Sequence, residues 1–173
     1  MDIRKALIED QSKSQALRIA EYIGNDQEKF KSLMHLFFND DNRMAQRASW
    51  VVSKCHDRAP ELIIPYIDKM IKGLGQTNLH PAVIRNTVRI LQEVKIPKSK
   101  LGPLTDHCFN LLGKNDTPVA IKVFSMSILL NVVREIPELA KELQIIIEDQ
   151  MPYATPGFRS RGNKILNALQ KMG

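Results

Sequence analysis

One spacing governs this chain. The tripeptide Arg89-Ile90-Leu91 returns as Ser127-Ile128-Leu129 and again as Lys164-Ile165-Leu166, at offsets of 38 and 37 residues. Val51-Val52-Ser53 stands one period upstream as an imperfect copy. Pro81, Pro118 and Pro156 follow offsets of 37 and 38, Pro65 and Pro103 lie 38 apart, and Pro60-Glu61-Leu62 returns two periods later as Pro137-Glu138-Leu139. A period of this length is one helix, a turn and a second helix. Its recurrence predicts a row of helix pairs, each burying its apolar face only against its neighbours.

Periodicity within the units agrees. In HPAVIRNTVRILQEV the apolar residues Val83, Ile84, Val88, Leu91 and Val94 recur at three-, four- and seven-residue intervals, which is one face of a helix. Similar patterns cover SQALRIAEYI, DQEKFKSLMHLFF, NRMAQRASWVVSKC, APELIIPYIDKMI, KLGPLTDHCFNLL, TPVAIKVFSMSILLNVV, PELAKELQIIIED and GFRSRGNKILNAL. Turn clusters such as Gly24-Asn25-Asp26, Asp40-Asp41-Asn42 and Gly113-Lys114-Asn115-Asp116 separate them, and no alternating run of strand length intervenes. The predicted class is all-α, with about nine or ten helices. VAIKVFSMSILLNVV is apolar almost all round, so it is expected to be the most enclosed.

The 173 residues carry 43% apolar and 25% charged side chains, the composition of a folded domain. The net charge of +6 is uneven. The last nineteen residues hold Arg159, Arg161, Lys164 and Lys171 with no acid. No apolar run reaches the ~20 residues of a membrane span, and MDIRKALIEDQSK has no signal-peptide pattern. With only two cysteines, Cys55 and Cys108, a reducing, cytoplasmic setting is expected.

The repeated pattern resembles HEAT repeats from about Ser12 to Met172. Such a repeat often carries a proline in its first helix, as at Ile64-Pro65 and Gly102-Pro103. Its second helix follows an Asp or Asn and bears a basic residue before small and apolar positions. Asp41 precedes Arg47 by six, Asp116 precedes Lys122 by six, and Asn78 precedes Arg85 by seven. The resemblance implies an α-α superhelix of four to five helix pairs forming a single domain over 1–173. Residues 1–11 would form an N-terminal cap and 12–24 a short first repeat, with further repeats at about 26–57, 60–94, 97–133 and 136–172. RNTVRILQ, PVAIKVFSM, PELAKEL and GFRSRGNKIL also resemble a family of small uncharacterised HEAT proteins common in Bacteroidetes. Some of those carry an adenylosuccinate lyase label. Lyases of that superfamily resemble one another in a Met-Pro-x-Lys-x-Asn loop, and this sequence has none.

The resemblance further implies that second helices line the concave side. Arg47, Trp50, Arg85, Arg89, Lys122, Arg159, Arg161 and Lys164 are then candidates for a partner-binding surface. Two readings stand side by side. Either the cations form an electropositive groove, or Asp41 holds Arg47 and Asp116 holds Lys122 as ties between repeats. Arg89 and Lys164 have no such acid and are the better candidates for an exposed patch. Trp50 fits core packing better than base stacking. Cys55-His56 and Asp106-His107-Cys108 lack zinc spacing, because adjacent helical residues point about 100° apart. Neither a Walker A sequence nor G-x-S-x-G nor H-E-x-x-H occurs. No catalytic residue, metal or cofactor is assigned. The reading is a non-catalytic scaffold for a macromolecular partner, foremost a protein, with no membrane association and the oligomeric state left open. The alternative is nucleic-acid binding, or glycosylase-type activity, through a basic groove.

Overall fold

The computed structural model describes residues 1–173 and contains ten α-helices and no strand. The helices are α1 (Ile3–Glu9), α2 (Lys13–Ile23), α3 (Gln27–Asn39), α4 (Asn42–Arg58), α5 (Ile67–Gly73), α6 (Pro81–Leu91), α7 (Leu101–Gly113), α8 (Val119–Glu135), α9 (Ala140–Gln150) and α10 (Pro156–Met172). They fall into two compact units, Met1–Ile90 and Leu91–Gly173.

Local chemistry sets half of the helix starts. Asp2, Ser12, Asp26, Asp41 and Thr155 each turn a side-chain oxygen onto a backbone N–H of the first turn that follows. Each such cap is worth about 1 kcal/mol. Gly24 ends α2 with φ 55°, a left-handed conformation that a side chain would strain. The start of α6 differs. His80 Nδ1, rather than Asn78, accepts from Ala82 N at 3.1 Å. Asn78 instead adopts φ 64°, and its carbonyl accepts from Asn42 Nδ2 at 3.3 Å. The extra residue in the Asn78-to-Arg85 spacing is absorbed in that turn.

APELIIPYIDKMI is not one helix. Pro60–Tyr66 winds as a 3₁₀ helix and only Ile67–Gly73 is α. Pro65 has no N–H to donate and disfavours α geometry at Ile64 before it. Pro103 breaks nothing because it sits in the first turn of α7, where N–H groups have no intrahelical partner.

In the N-terminal unit, α3 packs on α4 and α4 on α2, while α1 touches α2, α3 and α4. Its core holds Ile19, Phe30, Leu33, Met34, Leu62, Ile63 and Met70, all essentially without solvent contact. Phe30 meets Tyr66 edge to face at 5.7 Å, and Phe38 joins the same aromatic group. In the C-terminal unit, α8 lies between α7 and α10 and buries nine of its seventeen residues. Its all-round apolar character requires that enclosure, but it is not the most enclosed helix, since α4 also buries nine of seventeen residues.

Candidate functional site

Three of the candidate side chains meet in the N-terminal unit. Arg47 and Trp50 are three residues apart, hence on one face of α4, and Arg85 stands on α6. All three line one pocket of about 180 Å³ whose walls come from the end of α1, from α2, from α4 and from α6. Asn86 fastens α6 to α4, donating from Nδ2 to Ser49 Oγ at 2.9 Å, and Ser49 in turn donates to the Gln46 carbonyl at 2.7 Å. Trp50 is half-buried and Arg85 exposed.

Arg47 does not pair with Asp41. Its Nη1 donates to the carbonyls of Leu7 at 3.0 Å and Ile8 at 3.4 Å, in the last turn of α1. Asp41 is spent capping α4 through Met44 N at 2.8 Å. Six helical positions rotate Arg47 well away from that cap. The Arg47 Nε–H is buried and has no acceptor. Leaving a buried donor unmet costs about 1–3 kcal/mol. At the rim, Asp10 accepts from Ser12 N at 2.8 Å and Ser12 Oγ at 2.6 Å. Those bonds, the hydroxyl first, hold its carboxyl below the usual carboxylate range.

Arg89 is not a free cation. It donates to Ser53 Oγ at 2.5 Å and to Asp57 Oδ1 at 2.8 Å, and Lys54 shares Asp57 at 3.0 Å. Burial pulls the Asp57 pKa upward, but the Arg89 and Lys54 hydrogen bonds outweigh it and leave it below the ordinary value. The candidate with no acid in its own turn thus finds one 32 residues upstream.

The remaining four lie in the C-terminal unit. Lys122 is buried and donates from Nζ to Gln150 Oε1 at 2.7 Å, while Gln150 Nε2 donates to the Leu112 carbonyl at 2.8 Å. Asp116 acts on Lys122 only through space. Burial lowers the ammonium's pKa and Asp116 opposes this. Arg159 donates to the carbonyls of Met151 at 3.2 Å and Pro152 at 3.1 Å, fastening the 3₁₀ turn Met151–Tyr153. Arg161 donates from Nη1 to Ser127 Oγ, joining α10 to α8. Only Lys164 stands exposed and unpaired among these four.

The eight candidates therefore divide. Five cations tie the fold together, Arg85 and Lys164 are free, and Trp50 offers part of its ring to a pocket. Sequence reasoning missed Asp10, whose signal is the Asp-x-Ser turn. It also missed Tyr153, 92% exposed on the turn that Arg159 holds, which no local pattern marks.

No group of three or more His, Cys, Asp or Glu side chains is placed to hold a metal ion. Cys55 and Cys108 are free and buried, and burial pushes both thiols up to about 12. Thiolate is the reactive form, so the native protein should react with a thiol-specific disulfide reagent only through unfolding. Titration with that reagent should read no thiol in buffer and both in denaturant. Rapid native labelling of either cysteine would contradict the packing around it.

No helix is long and apolar enough to cross a membrane. No curated protein and no solved structure matches the sequence. A family model described as a HEAT repeat domain matches residues 3–169. HEAT repeats are generally protein-interaction scaffolds. The repeated prolines, the all-helical fold and a match over almost the entire length lead to one conclusion: the chain belongs to the HEAT repeat family.

Proposed function

We propose that this chain is a non-catalytic scaffold of the cytoplasm that binds another protein through the face formed by α2, α4 and α6. The convergence of Arg47, Trp50 and Arg85 on one pocket carries this reading. A partly exposed tryptophan beside arginines is the side-chain chemistry that dominates protein interfaces. Half-burial holds the ring in place before a partner arrives, so less ordering entropy is lost on binding.

The fate of the cations weighs against a nucleic-acid backbone. Arg47, Arg89, Lys122, Arg159 and Arg161 donate to acceptors of their own chain. A protein that binds DNA through phosphates needs several unspent cations, and each adds nearly one unit to the salt dependence. Of the seven cationic candidates, Arg85 and Lys164 alone make no hydrogen bond within the chain, and Arg89 alone forms an ion pair.

The test is capture from an extract of the native cells on the immobilised full-length chain, after nuclease treatment. The expected result is a protein retained by the wild type and lost by Arg85→Glu, which alters an exposed residue and leaves the fold intact. Equal retention on both would remove α2, α4 and α6 as the binding face. Retention abolished by nuclease would replace the protein reading with the nucleic-acid one.

A further inference from the structure

We infer that the pocket between α1, α2, α4 and α6 recognises the carboxylate of an Asp or Glu side chain within a partner's peptide segment, with an apolar residue beside it. This rests on the protein-binding reading above and names the chemistry of the partner. A guanidinium has five N–H donors in a rigid plane, and the Nε–H lies parallel to one Nη2–H, forming a two-pronged edge that matches a carboxylate. Here Arg47 Nη1 is spent on the Leu7 and Ile8 carbonyls, which fixes the plane of the group against α1. Nη1 is the only Arg47 donor with a partner in the chain, and the Nε–H is buried without one. The edge left without acceptors is thus the one suited to a bidentate oxyanion, and an incoming carboxylate reaches the covered Nε–H by parting the side chains over it.

The surroundings narrow the class. Arg85 supplies a second, unpaired cation from the next helix in the layer. Asp10 places a carboxylate at the same pocket and is kept ionised by Ser12. Two positive groups against one negative group suit a singly charged planar anion and work against a doubly charged phosphate. Trp50, one turn along from Arg47, gives an apolar wall for the residue beside the acid. The Gln46 amide, also in the lining, offers both a donor and an acceptor to a peptide main chain passing across the mouth.

A random dodecamer library displayed for selection on the full-length chain tests this, with winners remade as C-terminally amidated peptides. Selected peptides should share an Asp or Glu next to an apolar residue. Changing that acid to its amide should weaken binding about tenfold or more, the effect of removing a charge-assisted hydrogen bond. Arg47→Lys, which retains the charge and loses the two-pronged edge, should weaken it about as much. Arg85→Gln should give a smaller loss without altering the melting temperature. In ¹H–¹⁵N spectra the Arg47 Nε–H signal should shift on addition of the acidic peptide and not of its amide counterpart, a readout that a purely structural arginine would not give.

Peptides that bind equally well as the amide, that bind only with a free C-terminal carboxylate, or that are displaced by a single-stranded oligonucleotide would each overturn the inference. So would a selection that enriches no sequence. In any of these cases, a protein still captured from extract by the wild type and not by Arg85→Glu would leave the broader protein-binding reading standing.

Discussion

Phe30→Ala is expected to lower the free energy of unfolding by about 3–5 kcal/mol. Phe30 has no solvent exposure, and its ring meets Tyr66 edge to face at 5.7 Å with an interplanar angle of 74°. Truncation removes the transfer free energy of a whole aromatic ring and the edge-to-face contact, worth about 0.5–1.5 kcal/mol beyond area. It also leaves a void that the close-packed surroundings refill only in part. Relaxation is hindered here because the ring's neighbour Tyr66 ends a 3₁₀ helix fixed by Pro60 and Pro65. Thermal unfolding should show a fall in Tm of roughly 6–20 °C for a chain of this size. Amide exchange should accelerate first in α3 and in the Pro60–Tyr66 segment. A loss under about 1 kcal/mol would mean that the aromatic group is loosely packed and does not organise this unit.

The second large effect is expected at Gly162. A Cβ there would lie 2.9 Å from Met151 Sδ and 3.2 Å from Ile147 Cγ2, so α10 and α9 touch through this glycine. Its backbone is ordinary right-handed helix, and the need for glycine is therefore one of space. Alanine sets a gain in helix propensity of about 1 kcal/mol against the displacement of Met151, whose flexible end can move. Ile147 is branched at Cβ and fully buried, so it cannot withdraw in the same way. Gly162→Ala should stay within about 1 kcal/mol of the wild type. Gly162→Leu should cost about 3 kcal/mol by overpacking and lower Tm by roughly 6–12 °C. A leucine variant as stable as the wild type would show that α9 is free to shift away from α10.

The pocket shows how far residue types alone lead. Arg47, Trp50 and Arg85 were singled out because a repeat resemblance puts second helices side by side, and the structure brings those three to one pocket. The same logic misjudged Arg89. It looked free because no acid precedes it at the expected turn, yet Asp57 lies in the last turn of the neighbouring helix and takes its guanidinium. The proposed Asp41–Arg47 and Asp116–Lys122 pairs failed for the complementary reason. Asp41 satisfies the backbone of its own helix first, and Lys122 finds a glutamine on α9 instead of the acid before α8.

These cases share a pattern. Asn86 to Ser49, Arg89 to Ser53, Gln150 to Leu112 and Arg161 to Ser127 all join residues 34 to 38 positions apart. Each crosses one repeat. The period predicts that such ties exist and roughly where they fall. It does not predict which donor meets which acceptor, because that depends on axial offsets between helices smaller than one 5.4 Å turn.

The all-α class, the positions of most helices and the enclosure of α8 followed from the amino-acid order alone. Each is decided within a few consecutive residues, by a side chain bonding the first turn or by apolar groups recurring on one face. Packing between elements decided the rest: the spending of five cations on internal acceptors and the unmet Nε–H of Arg47. Those outcomes turn on groups seven to 40 residues apart in sequence, and on a competition between local and distant partners for the same donor. Such a competition is resolved only when the helices have docked.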